Sequence, residues 1–132
     1  MAKTLVSQSN LKTIVVREIS ALTTSYEPSE AINVQGANQL QLLASFTKGS
    51  SNGCKIKVEF SEDMVNWYQE SSYALSEGGL SAIHYAIERE IENSCDIVIP
   101  IPLSSSFMRV SAMAIDIYTG TSLSITATIS NI

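Results

Sequence analysis

Hydrophobicity in this chain repeats at every second residue, and that period restricts what it can fold into. Leu40, Leu42, Ala44 and Phe46 alternate with Gln39, Gln41 and Ser45. Cys54, Ile56, Val58 and Phe60 alternate with Lys55, Lys57 and Glu59. Ile83, Tyr85, Ile87 and Ile91 alternate with His84, Glu88, Glu90 and Glu92, and Leu123, Ile125, Ala127 and Ile129 with Ser and Thr. A period of two places one set on each face of a strand, one toward a core and one toward water. Segments 13–19, 97–103 and 107–117 are apolar or β-branched on both faces, as in central strands or strands covered by a neighbouring subunit. No segment carries a helical stripe beyond one turn; residues 61–68 come nearest.

Turn residues separate these runs. Lys48-Gly49-Ser50-Ser51-Asn52-Gly53 reads as a hairpin loop, and Tyr118-Thr119-Gly120-Thr121 as a tight turn between two long strands. Glu77-Gly78-Gly79 precedes another strand. Pro100 and Pro102 suggest an edge strand or one that changes sheet. The expectation is all-β: a single β-sandwich over residues 1–132, jelly-roll or Ig-like, of about eight or nine mostly antiparallel strands. Residues 1–10 form a short N-terminal arm.

Composition removes several functional classes. Apolar residues are 45% and charged residues 16%, too apolar and too weakly charged for a disordered chain. The formal charge of -5 argues against nucleic-acid binding through phosphates. No apolar run approaches the ~20 residues of a membrane span. The start, Met1-Ala2-Lys3-Thr4, lacks the basic-then-apolar pattern of a secretory leader. Cys54 and Cys95 therefore read as unbridged, mainly buried small hydrophobes, too few with one His for a zinc site. Residues 1–60 carry a net +2 and residues 61–132 a net -7, a two-signed surface suited to packing on copies of itself or a partner.

Few residues stand out as chemistry. In Phe60-Ser61-Glu62-Asp63-Met64-Val65-Asn66-Trp67-Tyr68, Ser61 and Asp63 can bond nearby amides to fix a turn, with Trp67 anchoring the returning strand in the core. A sialidase Asp-box would need a Gly and one more residue. His84 has no nucleophile or triad signature and reads as exposed or partner-facing. Glu88, Glu90 and Glu92 share one strand face. Neighbours on such a face stand ~6.5–7 Å apart, too far to chelate one ion unaided, so they read as a solvated or cross-strand paired row. Glu88 or Glu90 as a hydrolase carboxylate lacks an evident acid/base partner. Lys55 and Lys57 form the opposite row, and relief of both rows predicts that the two strands lie side by side. Arg89 falls on an apolar face between Ile87 and Ile91, and Arg109 in a mainly apolar strand. Each must be paired or reach a rim or subunit interface, with Asp96 and Asp116 the nearest partners by chemistry.

Phe60-Ser61-x-Asp63-x-x-x-Trp67-Tyr68, together with Arg109-Val110-x-Ala112, the Gly120 turn and a final Ser/Thr-rich strand, resembles small β-sandwich virion proteins of tailed bacteriophages. The resemblance spans roughly residues 55–130, with Met64 where those proteins carry Gly. It implies a non-enzymatic capsid decoration (cement) protein, with a neck or tail component as its near neighbour. It also implies a homo-oligomer, possibly a trimer, with the major capsid protein or another virion protein as partner. Location in the virion after assembly in the host cytoplasm follows, with no cofactor, nucleic acid or membrane. The expected interface residues are Arg89, Arg109, Glu88, Glu90, Lys55 and Lys57. A carbohydrate-binding module is the alternative, with Trp67, Tyr68 and Tyr73 as its aromatics. Thiol titration of the denatured, non-reduced protein should return two free thiols.

Overall fold

A computed structural model describes residues 11–116 and 119–131. The expected N-terminal arm, residues 1–10, lies outside them, as do Ile117, the end of the apolar 107–117 segment, and Tyr118, the start of the expected tight turn. Twelve strands and no helix are present among the described residues.

Four long strands build one sheet: β1 (Leu11–Ala21), β12 (Ser122–Ser130), β4 (Gln39–Thr47) and β10 (Cys95–Pro100), adjacent in that order. The other sheet centres on β11 (Phe107–Ala114) and β5 (Cys54–Ser61). Short β2 (Glu27–Pro28) and β3 (Ile32–Asn33) line the free edge of β11, while β6 (Tyr68–Gln69) and β9 (Arg89–Ile91) line that of β5. Counting β2 with β3 and β6 with β9 as single positions, the sheets read 1-8-3-6 and 2-7-4-5, all pairs antiparallel. That order is the jelly roll rather than the Ig-like arrangement.

The alternation works as anticipated. On β4, Leu40, Leu42, Ala44 and Phe46 are buried; on β5, Cys54, Ile56, Val58 and Phe60; on β12, Leu123, Ile125, Ala127 and Ile129. Met108, Val110, Ala112 and Ala114 of β11 complete the facing layer of one core cluster. Fully burying one such Val, Leu, Ile or Met side chain contributes roughly 1.5–3 kcal/mol, so the cluster is the main source of stability.

Two turns differ from expectation. The Lys48–Gly53 segment is not a hairpin loop, because β4 and β5 lie in opposite sheets; β11 and β12 are likewise in opposite sheets. These two crossovers meet at one end of the sandwich. Ser50 N donates to Thr119 O at 2.9 Å, and Thr121 Oγ1 to Lys48 O at 2.7 Å. Residues 61–68 form a turn rather than a helix.

The 83–92 run is also not one strand. It divides at Ile87-Glu88 into β8 (Ala82–Ala86) and β9. β8 pairs only with β7 (Ser71–Leu75), from Ser71↔Ala86 to Leu75↔Ala82, in a separate two-stranded sheet. The chain runs along half of β5 as β6, leaves as this hairpin, and returns along the other half as β9.

β1 is an edge strand, and its pairing to β12 is irregular on both sides of Arg17. The Arg17 guanidinium donates to Leu123 O at 3.2 Å and Ala21 O at 2.9 Å. β10 is the opposite edge, as the prolines suggested, and ends at Pro100.

Gly49 is the tightest point of the crossover. Its φ is +57°, and a Cβ there would stand 2.4 Å from the Thr119 carbonyl oxygen. Both features oppose a side chain. Gly49→Ala should cost about 2 kcal/mol or more in chemical denaturation.

Candidate functional site

The outward face of the β11–β5–β9 sheet carries the two charged rows, brought side by side. Lys55 is opposite Glu90 in register, with Nζ 3.8 Å from the carboxylate. Lys57 is not Glu90's partner. Its ammonium lies 4.4 Å from the centre of the Tyr26 ring, and the Tyr26 hydroxyl donates to Glu88. Burial first, and the Glu88 carboxylate second, push the Tyr26 phenol well above its ordinary 10.0. Glu92 lies beyond β9 and is exposed.

Arg109 sits opposite Glu59 on the same face, with Nε donating at 3.1 Å. Its guanidinium lies 4.4 Å from the centre of the Trp67 ring. Trp67 is half-buried on this outer face, not an anchor in the core. Asp96 and Asp116 are not the arginines' partners. Asp96 accepts from Ser45 Oγ at 2.6 Å and Asp116 from Asn52 Nδ2 at 2.6 Å.

Arg89 keeps the inward-facing position given by alternation, opposite buried Ile56. Its partner is Glu70, which sequence reasoning missed because pairing depends on the chain's return after an intervening hairpin. Two donations, at 2.5 and 2.9 Å, make the bond bidentate, and the Glu70 side chain is only 6% exposed. Around it, Glu70 N donates to Val58 O and Ile87 N to Glu70 O, both at 2.8 Å. Gln69 Nε2 donates to Ile87 O at 3.0 Å. This clamp closes the root of the β7–β8 hairpin.

The Ser61–Trp67 turn forms as read from the sequence. Ser61 Oγ accepts from Met64 N at 2.9 Å. Asp63 Oδ1 accepts from Val65 N at 2.9 Å and Asn66 N at 2.8 Å. Those amides, that of Asn66 foremost, with the Asn66 and Ser61 side chains, hold the Asp63 carboxyl well below its ordinary 3.8. Met64, standing where the phage hairpin has Gly, takes φ +61°.

The hairpin is the surface that alternation did not flag. Tyr73 and Leu75 lie on one face, Ile83 and Tyr85 on the other, and all four are exposed; Leu80 at the tip is 94% exposed. His84 is exposed on the Tyr73 face, the ring centres 5.7 Å apart. The Glu77-Gly78-Gly79 turn between two short aromatic and aliphatic runs was the available signal. Of the aromatics named for a carbohydrate module, Trp67 lies under Arg109, Tyr68 is exposed on β6 and Tyr73 is exposed on the hairpin.

Cys54 and Cys95 are both free, as expected, but only Cys54 is buried, with its thiol pushed up to about 12 by burial. Cys95 is exposed because it begins the edge strand β10. An open cleft of about 710 Å³, bordered by Lys12, Asn33, Gln35 and Asn131, contains none of the expected site residues.

No protein-family model matches the chain, and no curated protein sequence matches it. Solved structures do. The SPBc2 prophage-derived protein YomS is similar over 96% of this chain and 98% of its own, at 12% identity and a TM-score of 0.51. A Bacillus endospore appendage protein, from a family of disulfide-linked pili, is similar over 98% and 96%, at 9% identity and a TM-score of 0.45. A chain of infectious bursal disease virus strain Gx matches 94% of this chain with 32% of its own, at 9% identity and a TM-score of 0.46. The likeness to YomS shows the fold.

Two predictions follow from this geometry. Arg89→Ala leaves a buried carboxylate unpaired and should cost about 3 kcal/mol, whereas Arg89→Met with Glu70→Leu should recover most of it. Thermal denaturation of the three proteins checks this. Because the folded-state pKa of Asp63 is depressed, its contribution is full above the ordinary value and is lost as pH falls. Acid titration of stability should therefore decline below pH about 4, with a shallower decline in Asp63→Asn.

Proposed function

We propose that this chain is a non-enzymatic structural subunit of a tailed-phage virion, a capsid decoration protein that binds the head shell as a homo-oligomer. The observation that carries this reading is the jelly roll itself. It matches, nearly end to end, the fold of a prophage-derived protein of similar extent. The hairpin motif around Ser61, Asp63 and Trp67 agrees with it. The surface has the character of an assembly subunit, with large apolar side chains left exposed on the hairpin, β1, β4 and β10. Its prominent charges are arranged as pairs, Lys55–Glu90 and Arg109–Glu59. The paired face around Lys55, Lys57, Glu88, Glu90 and Arg109 is the part we assign to recognition of the shell. Exposed pairs contribute specificity more than affinity; Arg89 is engaged in the hairpin clamp.

Particles from cells that encode the protein provide the test. Antibody labelling by electron microscopy should decorate the head, and quantitative mass spectrometry of purified particles should find the chain in many copies. Labelling confined to the neck or tail would favour a component of that region instead. Absence from purified particles would overturn the reading.

A further inference from the structure

The β7–β8 hairpin has no structural duty in the sandwich, yet it is held firmly at its root. Its strands pair only with each other, and an isolated two-stranded sheet is marginal in water. Both faces and the tip are apolar and exposed. Tyr73, Leu75, Leu80, Ile83 and Tyr85 are each more than half exposed, from 52% to 94%, an amount of apolar surface on one small element that marks an interaction site. Tyrosine at such a place is typical of interfaces.

Charge identifies the receiving surface. Between residues 71 and 86 the sole charged side chain is Glu77 at the turn. An arm with a single charge finds no match on the outer face of the β11–β5–β9 sheet, where docking would strip water from Lys57, Glu59, Glu90 and Arg109. The outer face of the β1–β12–β4–β10 sheet is different. Val15, Thr126, Leu43 and Val98 stand in one cross-strand row, with Val15, Leu43 and Val98 exposed. On the outward positions of β4, β10 and β12 the sole charge is Asp96, which accepts from Ser45. The arm thus carries one charge, Glu77 at its turn, and the β12–β4–β10 part of the sheet face one, Asp96, with Lys12, Arg17 and Glu18 confined to the edge strand β1.

We infer that the hairpin is an assembly arm that docks on the outer face of the β1–β12–β4–β10 sheet of a second copy of this chain. Arm and sheet are different surfaces, so each copy both gives an arm and receives one. The contact can close reciprocally between two copies, each arm on the other's sheet, or propagate around a ring or along a filament. The inference rests on the self-assembly part of the proposed function and deepens it by naming the surfaces.

The test removes the arm without opening the sandwich. Ile87 N already bonds Glu70 O, so residues 71–86 can be replaced by a short Gly-Ser bridge. Sedimentation velocity at tens of micromolar should show the full chain as a dimer or larger and the bridged variant as monomer. Ile83→Asp and Leu75→Asp change only exposed positions and should likewise give folded monomers, which covers the case of a bridged variant that does not fold. A photo-crosslinker replacing Leu80 in the full chain should label peptides containing Val15, Leu43 or Val98. A monomeric full chain, an oligomer that survives both Asp variants, or crosslinks confined to the partner's hairpin would each overturn the inference. If purified heads bind the monomeric variants as well as the full chain, the virion reading stands and self-assembly is separate from shell binding. If heads bind neither while the oligomer forms through the arm, the virion reading fails and the arm stands.

Discussion

Hydrogen bonding along β5 organises half the molecule. One edge is filled by β11 in eight unbroken register pairs, from Cys54↔Ala114 to Ser61↔Phe107. The other is filled by two pieces of chain laid end to end, β9 against Cys54–Ile56 and β6 against Glu59 and Phe60. Between them stands Val58, whose carbonyl accepts from Glu70 N. A gap in an edge strand leaves backbone groups that need partners and an opening toward the core. Glu70, buried, and Arg89, half-buried, close that opening with a bidentate pair. An ion pair adds little net stability when a well-packed apolar pair would fit. Its value here is directional: two planar groups joined by two bonds fix the angle at which the hairpin leaves.

The two outer faces then diverge. On the β11–β5–β9 sheet, long charged side chains lie across one another and across Tyr26 and Trp67, so that aliphatic stems and rings cover the sheet while the charged ends stay near water. On the β12–β4–β10 part of the other sheet, the outward side chains are mostly hydroxyl, amide and β-branched, with Asp96 the one charge. Such a face loses little side-chain entropy when another protein covers it, because Ser, Thr and Val have few rotamers to order.

Alternation made the core legible. The inward positions of β4, β5 and β12 were readable because one buried face forces period two. The Lys55/Lys57 and Glu88/Glu90 rows came together for a reason also visible in sequence, repulsion within each row. The crossovers at Gly49 and Gly120 were read as local turns because glycine signals a tight bend without saying whether the next strand stays in the same sheet. Arg89's partner was hidden by sequence distance along the chain. Asp96 and Asp116 were chemically suitable, yet the fold delivers Glu70 because the chain leaves and rejoins one edge. Cys95 and Trp67 were both assigned to the core on residue type alone. Their exposure depends on edge position and outer-face location, which period two does not encode.

The irregular second half of β1 has a consequence for how the molecule avoids unwanted polymerisation. A regular strand at a sheet edge is a template on which another chain can add hydrogen bonds without regard to side chains. Here the register breaks around Arg17, and the guanidinium occupies the carbonyls of Ala21 and Leu123. An incoming strand meets a bent backbone and acceptors already engaged, so continuous backbone pairing stops after Val15. Growth by amyloid-like stacking along this edge is discouraged, and association is left to surfaces that discriminate by side chain.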